Sequence, residues 1–190
     1  MRSKQIRMLA AAAALGAGLL TGGCKQAPDL TQAGATALIQ ANYAQAAPVP
    51  ATIVIGDLGM RAGIDAKYWQ GVKKYPNGYW ADFKLTDNGK KLVKLASGGD
   101  TIAWRPDGPN DLRYGVTVTT VPTVPLKAQG IGEVEDDGGG RSVAFTEAVD
   151  LSSLPAPMQG IAQDSANTLT AHRKASFVLK DGAWALDSVQ

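Results

Sequence analysis

The rhythm of hydrophobic positions changes along the chain, and each change marks an element. Met8 to Leu20 is an uncharged run, whereas Ala35, Leu38, Ile39 and Tyr43 recur at the 3.6-residue period of a helix. Thr31 is placed to cap that helix, Leu30 to staple its entry, and Pro48 and Pro50 to stop it. Ala51 to Ile55, with three consecutive β-branched residues, predicts a buried strand. Residues 59–74 are ambiguous: Met60, Ile64, Tyr68 and Val72 keep a spacing of four that favours a helix, while Gly59, Gly63 and Gly71 each weaken one. Tyr79, Ala81, Phe83 and Leu85 alternate with Trp80, Asp82 and Lys84, which predicts a strand with one apolar face. Thr86 then caps a short helix running through Leu92 and Val93.

From Thr101 onward the alternation predicts strands at 101–105, 113–121, 126–135, 141–151, 171–180 and 183–189. Two turns are explicit: Lys180-Asp181-Gly182, inside a hairpin from Ser176 to Val189, and Asp137 to Gly140. Between the last two strand pairs, Pro155, Met158 and Ile161 predict a short helix capped by Ser152 or Ser153. Helices first and a strand meander afterwards give an α+β class: N-terminal helices packed on one face of a twisted antiparallel sheet, in a single domain over 30–190. The last strand pair, with Trp184 after Asp181-Gly182, resembles the ends of cystatin-like or NTF2-like small domains over some 20 residues. Such folds host many functions.

The N-terminus carries Arg2, Lys4 and Arg7 ahead of an apolar run of 13 residues. A bilayer-crossing helix needs roughly 20 apolar residues, so residues 1–23 read as a cleavable export signal. The run ends Leu19-Leu20-Thr21-Gly22-Gly23-Cys24, at the only cysteine of the chain. This segment resembles the lipobox of bacterial lipoprotein precursors, with Thr21 standing where Leu is usual. The resemblance implies that signal peptidase II cuts before Cys24, that Cys24 is lipidated with palmitate among its acyl chains, and that residues 24–29 form a lipidated tether. Lys25 follows the cysteine, where an Asp in this family often signals retention in the inner membrane; the implied location is the outer membrane, facing the periplasm. The mature part resembles small bacterial lipoproteins of uncharacterised function.

Removing the signal changes the charge. All three of its ionisable residues are basic, so the remaining 167 residues hold 16 Lys and Arg against 17 Asp and Glu, a net charge of −1. That lacks the footprint of a nucleic-acid binder, and no nucleic-acid partner is expected. A single cysteine allows no internal disulfide.

Chemistry-bearing residues are sparse. His172 is the only histidine, too few for an ordinary zinc site, and its place in a predicted strand reads as an exposed strand residue. Gly138-Gly139-Gly140 beside Arg141 follows Glu133, Glu135, Asp136 and Asp137, whose charges repel phosphate; it reads as a flexible turn. Those carboxylates, and separately Asp107, Asn110 and Asp111, are calcium-type ligands without EF-hand spacing, better read as solvated turns. Leu85-Thr86-Asp87-Asn88-Gly89-Lys90-Lys91-Leu92 resembles the Leu-Thr-x-x-Gly-x-x-Leu segment of winged-helix DNA-binding proteins over eight residues, and reads as a capped helix start.

The interval from Tyr68 to Phe83 holds Tyr68, Trp69, Tyr75, Tyr79, Trp80 and Phe83, half of the 12 aromatic residues, interleaved with Lys67, Lys73 and Lys74. Large aromatics supply much of any small core, and Tyr and Trp are also favoured at recognition surfaces. Trp69 and Trp80 fall on the expected solvent side of their elements and are the candidate partner surface. No catalytic constellation, cofactor or metal site is indicated. The expected function is that of a membrane-anchored, non-catalytic envelope module, binding or structural, whose partner would be a protein, peptide or glycan; the alternative is an envelope hydrolase with paired carboxylates, which leave no local motif.

Overall fold

The computed structural model describes residues 28–76, 78, 80–104, 115–162 and 169–190. In chain order the elements are α1 (Gln32–Ala44), β1 (Thr52–Ile55), α2 (Asp57–Asp65), β2 (Trp69–Lys74), β3 (Trp80–Leu85), α3 (Asp87–Leu92), β4 (Val93–Leu95) and β5 (Thr101–Ala103). There follow β6 (Val116–Thr120), β7 (Leu126–Gln129), β8 (Val134–Asp137), β9 (Gly140–Val149), α4 (Ala156–Ile161), β10 (Thr170–Lys180) and β11 (Ala183–Val189). The class is mixed helix and sheet, and the strands pair mostly antiparallel.

The strands form three hydrogen-bonded sheets, not the one meander expected: β1-β6-β4, β2-β3-β5, and β11-β10-β9-β7 with β8 also on β9. The reason is long-range pairing. β6 takes β1 on one side (Ile53 opposite Val118) and β4 on the other (Leu95 opposite Val118), an arrangement no run of tight turns produces. The described residues fall into two compact units: those up to Tyr43 with Ala128–Thr146 and His172–Gln190, and those within Ala44–Lys127 with Glu147–Ala171.

In the first unit Thr31 caps α1 as its sequence predicts, accepting the Gly34 N–H at 3.1 Å. Ala35 and Ile39 are fully buried, and Tyr43 meets Phe145 of β9 edge to face at 5.7 Å. The Gln32 and Gln40 amides donate to the carbonyls of Gly132 (2.6 Å) and Ala128 (3.1 Å). The predicted strand 126–135 is broken after Gln129, where Gly130 takes φ 57°, so β7 and β8 are separate. Both predicted turns form. Asp181 and Gly182 take φ 53° and 80°, the backbone a two-residue hairpin loop with the right twist demands.

The second unit holds the larger apolar cluster, including Ile53, Ile55, Met60, Trp69, Phe83, Val93, Ile102, Val118, Met158 and Ile161. The ambiguous stretch 59–74 is helical only in its first part, which belongs to α2; its last six residues are β2. Val93, expected to end a helix, instead begins β4 and is buried; Thr86 caps α3 by accepting the Gly89 N–H at 3.2 Å. Neither Ser152 nor Ser153 caps α4. A short 3-10 turn at Leu151–Ser153 intervenes, capped by the Asp150 carboxylate on the Ser152 N–H at 3.1 Å, and Pro155 leads into the helix.

Gly63 explains why α2 tolerates a residue of poor helix propensity. The Trp69 indole lies directly on its backbone, and a Cβ there would fall 1.8 Å from Cζ2. In an open helix Gly→Ala gains up to about 1 kcal/mol. Here the overlap reverses the sign: we expect Gly63→Ala to lower unfolding free energy by about 3 kcal/mol, at the upper end of overpacking costs, measured by urea titration. A stabilised variant would mean that Trp69 does not sit there.

Candidate functional site

Among the six aromatic residues of the Tyr68–Phe83 interval, burial separates two groups. Tyr68 (9% exposed) and Phe83 (3%) belong to the core of the second unit, and so does Trp69 at 1%. Trp69 was expected on a solvent face, and this is corrected: its ring is enclosed, and its Nε1–H donates to the Met60 carbonyl at 2.8 Å. The conformation of 59–74 was open in the sequence; β2 begins at Trp69 and pairs it with core residue Leu85, which puts the indole inside. Tyr79 lies outside the described residues.

Trp80 keeps the expected exposure, at 37%. It starts β3 opposite Lys74 of β2, and irregular register at Gly71/Lys73 and Lys73/Lys74 bends β2 there. The indole rests against Gly71, where a Cβ would stand 2.3 Å from Cδ2, so a side chain at 71 would displace it. Phe83 supports it with ring centroids 6.2 Å apart, and Lys74 Nζ lies 4.5 Å from its ring centroid. An exposed cation–π contact of this kind contributes about 0.5–1 kcal/mol. The result is a positioned aromatic with a cation on it. Such a surface offers stacking area and a donor to a ligand bearing hydroxyls or a carboxylate. The roles of Gly71 and Lys74 escaped sequence reasoning; only the interleaving of lysines with aromatics hinted at them.

The other candidates have structural roles. His172 lies exposed on β10. Gly138 and Gly139 form the β8–β9 turn, with φ 58° and 110°. Two carboxylates of the acidic run before them are held by cations: Asp136 pairs with Arg141, and Asp137 with Lys174 at 2.9 Å. Among the described residues no group of three or more His, Cys, Asp or Glu could hold a metal ion. Asp107, Asn110 and Asp111 lie outside the described residues, as does Cys24 with the whole of 1–27. In the segment Leu85–Leu92, Thr86 is the cap of α3, and Gly89 packs against the Tyr68 carbonyl.

Asp100 and Asp150 are both shifted downward. The hydrogen bond from Lys90 (3.0 Å) chiefly holds Asp100 below the ordinary carboxylate range, with Lys84 adding to it. Hydrogen bonds from Ser152 do the same for Asp150, helped by Lys127. A lowered carboxylate contributes stability that is present above its unfolded pKa and lost as pH falls through the folded one. Neither has the raised pKa that a general acid at neutral pH requires. A shallow cavity of about 110 Å³ beside Leu126, Val149 and Leu169 is small against ligand pockets of roughly 300–1,000 Å³. No described helix is long and apolar enough to cross a membrane. Compared with known protein families, with curated proteins and with solved structures, the chain matches none.

Proposed function

We propose that this chain is a lipid-anchored protein of the bacterial envelope that binds a protein, peptide or glycan partner without catalysing a reaction. Residues 1–23 direct export, Cys24 carries the lipid, and the absence of Asp after the cysteine favours the outer membrane, facing the periplasm. The binding surface is centred on Trp80 and Lys74. The observation that carries it is the arrangement of Trp80: a large aromatic left 37% exposed, seated on Gly71 and topped by an ammonium group 4.5 Å from its ring centroid. Exposed Trp fixed by its neighbours is favoured in recognition because little side-chain freedom is lost on binding.

The test is capture from detergent-solubilised envelope and from purified cell-wall fragments by immobilised lipidated protein. Trp80→Ala should weaken capture of the enriched partner at least about tenfold, the size of a modest interface hot spot, with unchanged circular dichroism. Equal capture by the folded variant would remove Trp80 from the binding surface.

A further inference from the structure

We infer that the β10–β11 end of the first unit, around Leu179 and Trp184, is a membrane-contact surface that lies on the headgroup layer of the bilayer holding Cys24. This rests on the reading of Cys24 as the lipidated residue. The chain is fixed to the first unit from Pro28 onward. The Pro28 carbonyl accepts the Trp184 Nε1–H at 2.6 Å, the Asp29 carboxylate lies 3.8 Å from Arg141, and Leu30 is buried at 8%.

Cys24 precedes Pro28 by four residues, which extended chain spans in at most about 14 Å. A lipidated cysteine sits in the polar interface, a zone roughly 5–8 Å deep per leaflet. Trp184, hydrogen-bonded to the point where the chain leaves the unit, is therefore held within a short reach of that interface.

The surface at that point has the composition such a position calls for. Leu179 stands directly opposite Trp184 across the hairpin and is 39% exposed, although most large apolar residues among those described are buried. Lys180 follows, its side chain 64% exposed and paired with Asp187 at 4.0 Å, so the turn adds no net positive charge. Trp is favoured at membrane–water interfaces, where the apolar ring is accommodated and the N–H is satisfied, here by the Pro28 carbonyl. A partner protein would need no such proximity to the anchor; a lipid surface does.

The test uses the full chain, processed in bacteria, with Leu179→Cys introduced. Because Cys24 is acylated, only the new thiol takes a polarity-sensitive fluorophore; Lys180→Cys serves as a second site. The protein is reconstituted into vesicles of phosphatidylethanolamine and phosphatidylglycerol, with and without brominated chains. Flotation with the vesicles, a blue-shifted label and loss of most emission to brominated lipid are expected. Flotation with the label unshifted and unquenched at both sites would overturn the contact surface while leaving the anchor intact. A protein that does not float would overturn the anchor and the inference together.

Discussion

Trp69→Ala should destabilise the second unit by about 3–5 kcal/mol, the range for emptying a buried Trp site. The indole fills the space between α2 and β2, packs on Gly63, meets Tyr68 at 6.3 Å, and satisfies the Met60 carbonyl with its only N–H. Removing it opens a cavity and deprives the carbonyl of that donor, so both effects act in one direction. Trp69→Phe keeps most of the bulk and should cost less, about 1–3 kcal/mol. Trp80→Ala, at a site already 37% exposed, should stay near 1 kcal/mol or below. Urea titrations of the three variants check the order. Equal losses at 69 and 80 would mean that the division of the aromatic interval into core and surface is mistaken.

That division shows where the sequence was legible and where it was not. Period and capping located α1 with Thr31 and α3 with Thr86, because both signals are local and each is realised by a hydrogen bond three residues away. The Asp181-Gly182 turn was equally legible, since few dipeptides adopt its backbone. The stretch 59–74 was not, because its glycines act through tertiary contact. Gly63 accepts an indole and Gly71 another, and neither contact leaves a trace in local periodicity. With the period of 59–74 undecided, the face of Trp69 could not be read, and a core residue was placed at the surface.

The pairing of β1 and β4 on either side of β6 was hidden for a related reason: it joins segments far apart in sequence. Of the candidate surface, Trp80 was legible from alternation in β3, whereas Lys74 depended on the irregular register of β2. The hold of Trp184 on Pro28, 156 residues away, had no sequence signal at all.

The largest functional effect is expected at Cys24. Two acyl chains hold a protein stably on a bilayer, where one does so only marginally, each buried CH₂ contributing about 0.8 kcal/mol. Cys24→Ser removes the thiolate that accepts the lipid, and with it the substrate of the lipoprotein-specific cleavage that the lipobox resemblance implies. Incorporation of a labelled palmitate analogue should fall to background, and the chain should retain the 23 residues ahead of position 24. Labelling that persists in the variant would place the acylation elsewhere.

The most direct test of the anchor is the intact mass of the wild-type protein extracted from membranes in detergent, together with that of its N-terminal peptide. A chain beginning at Cys24 and heavier than its 167 residues by a diacylglyceryl group and an N-linked acyl chain is expected. A chain that starts elsewhere, or that starts at Cys24 with a free thiol and a free amino group, would contradict it.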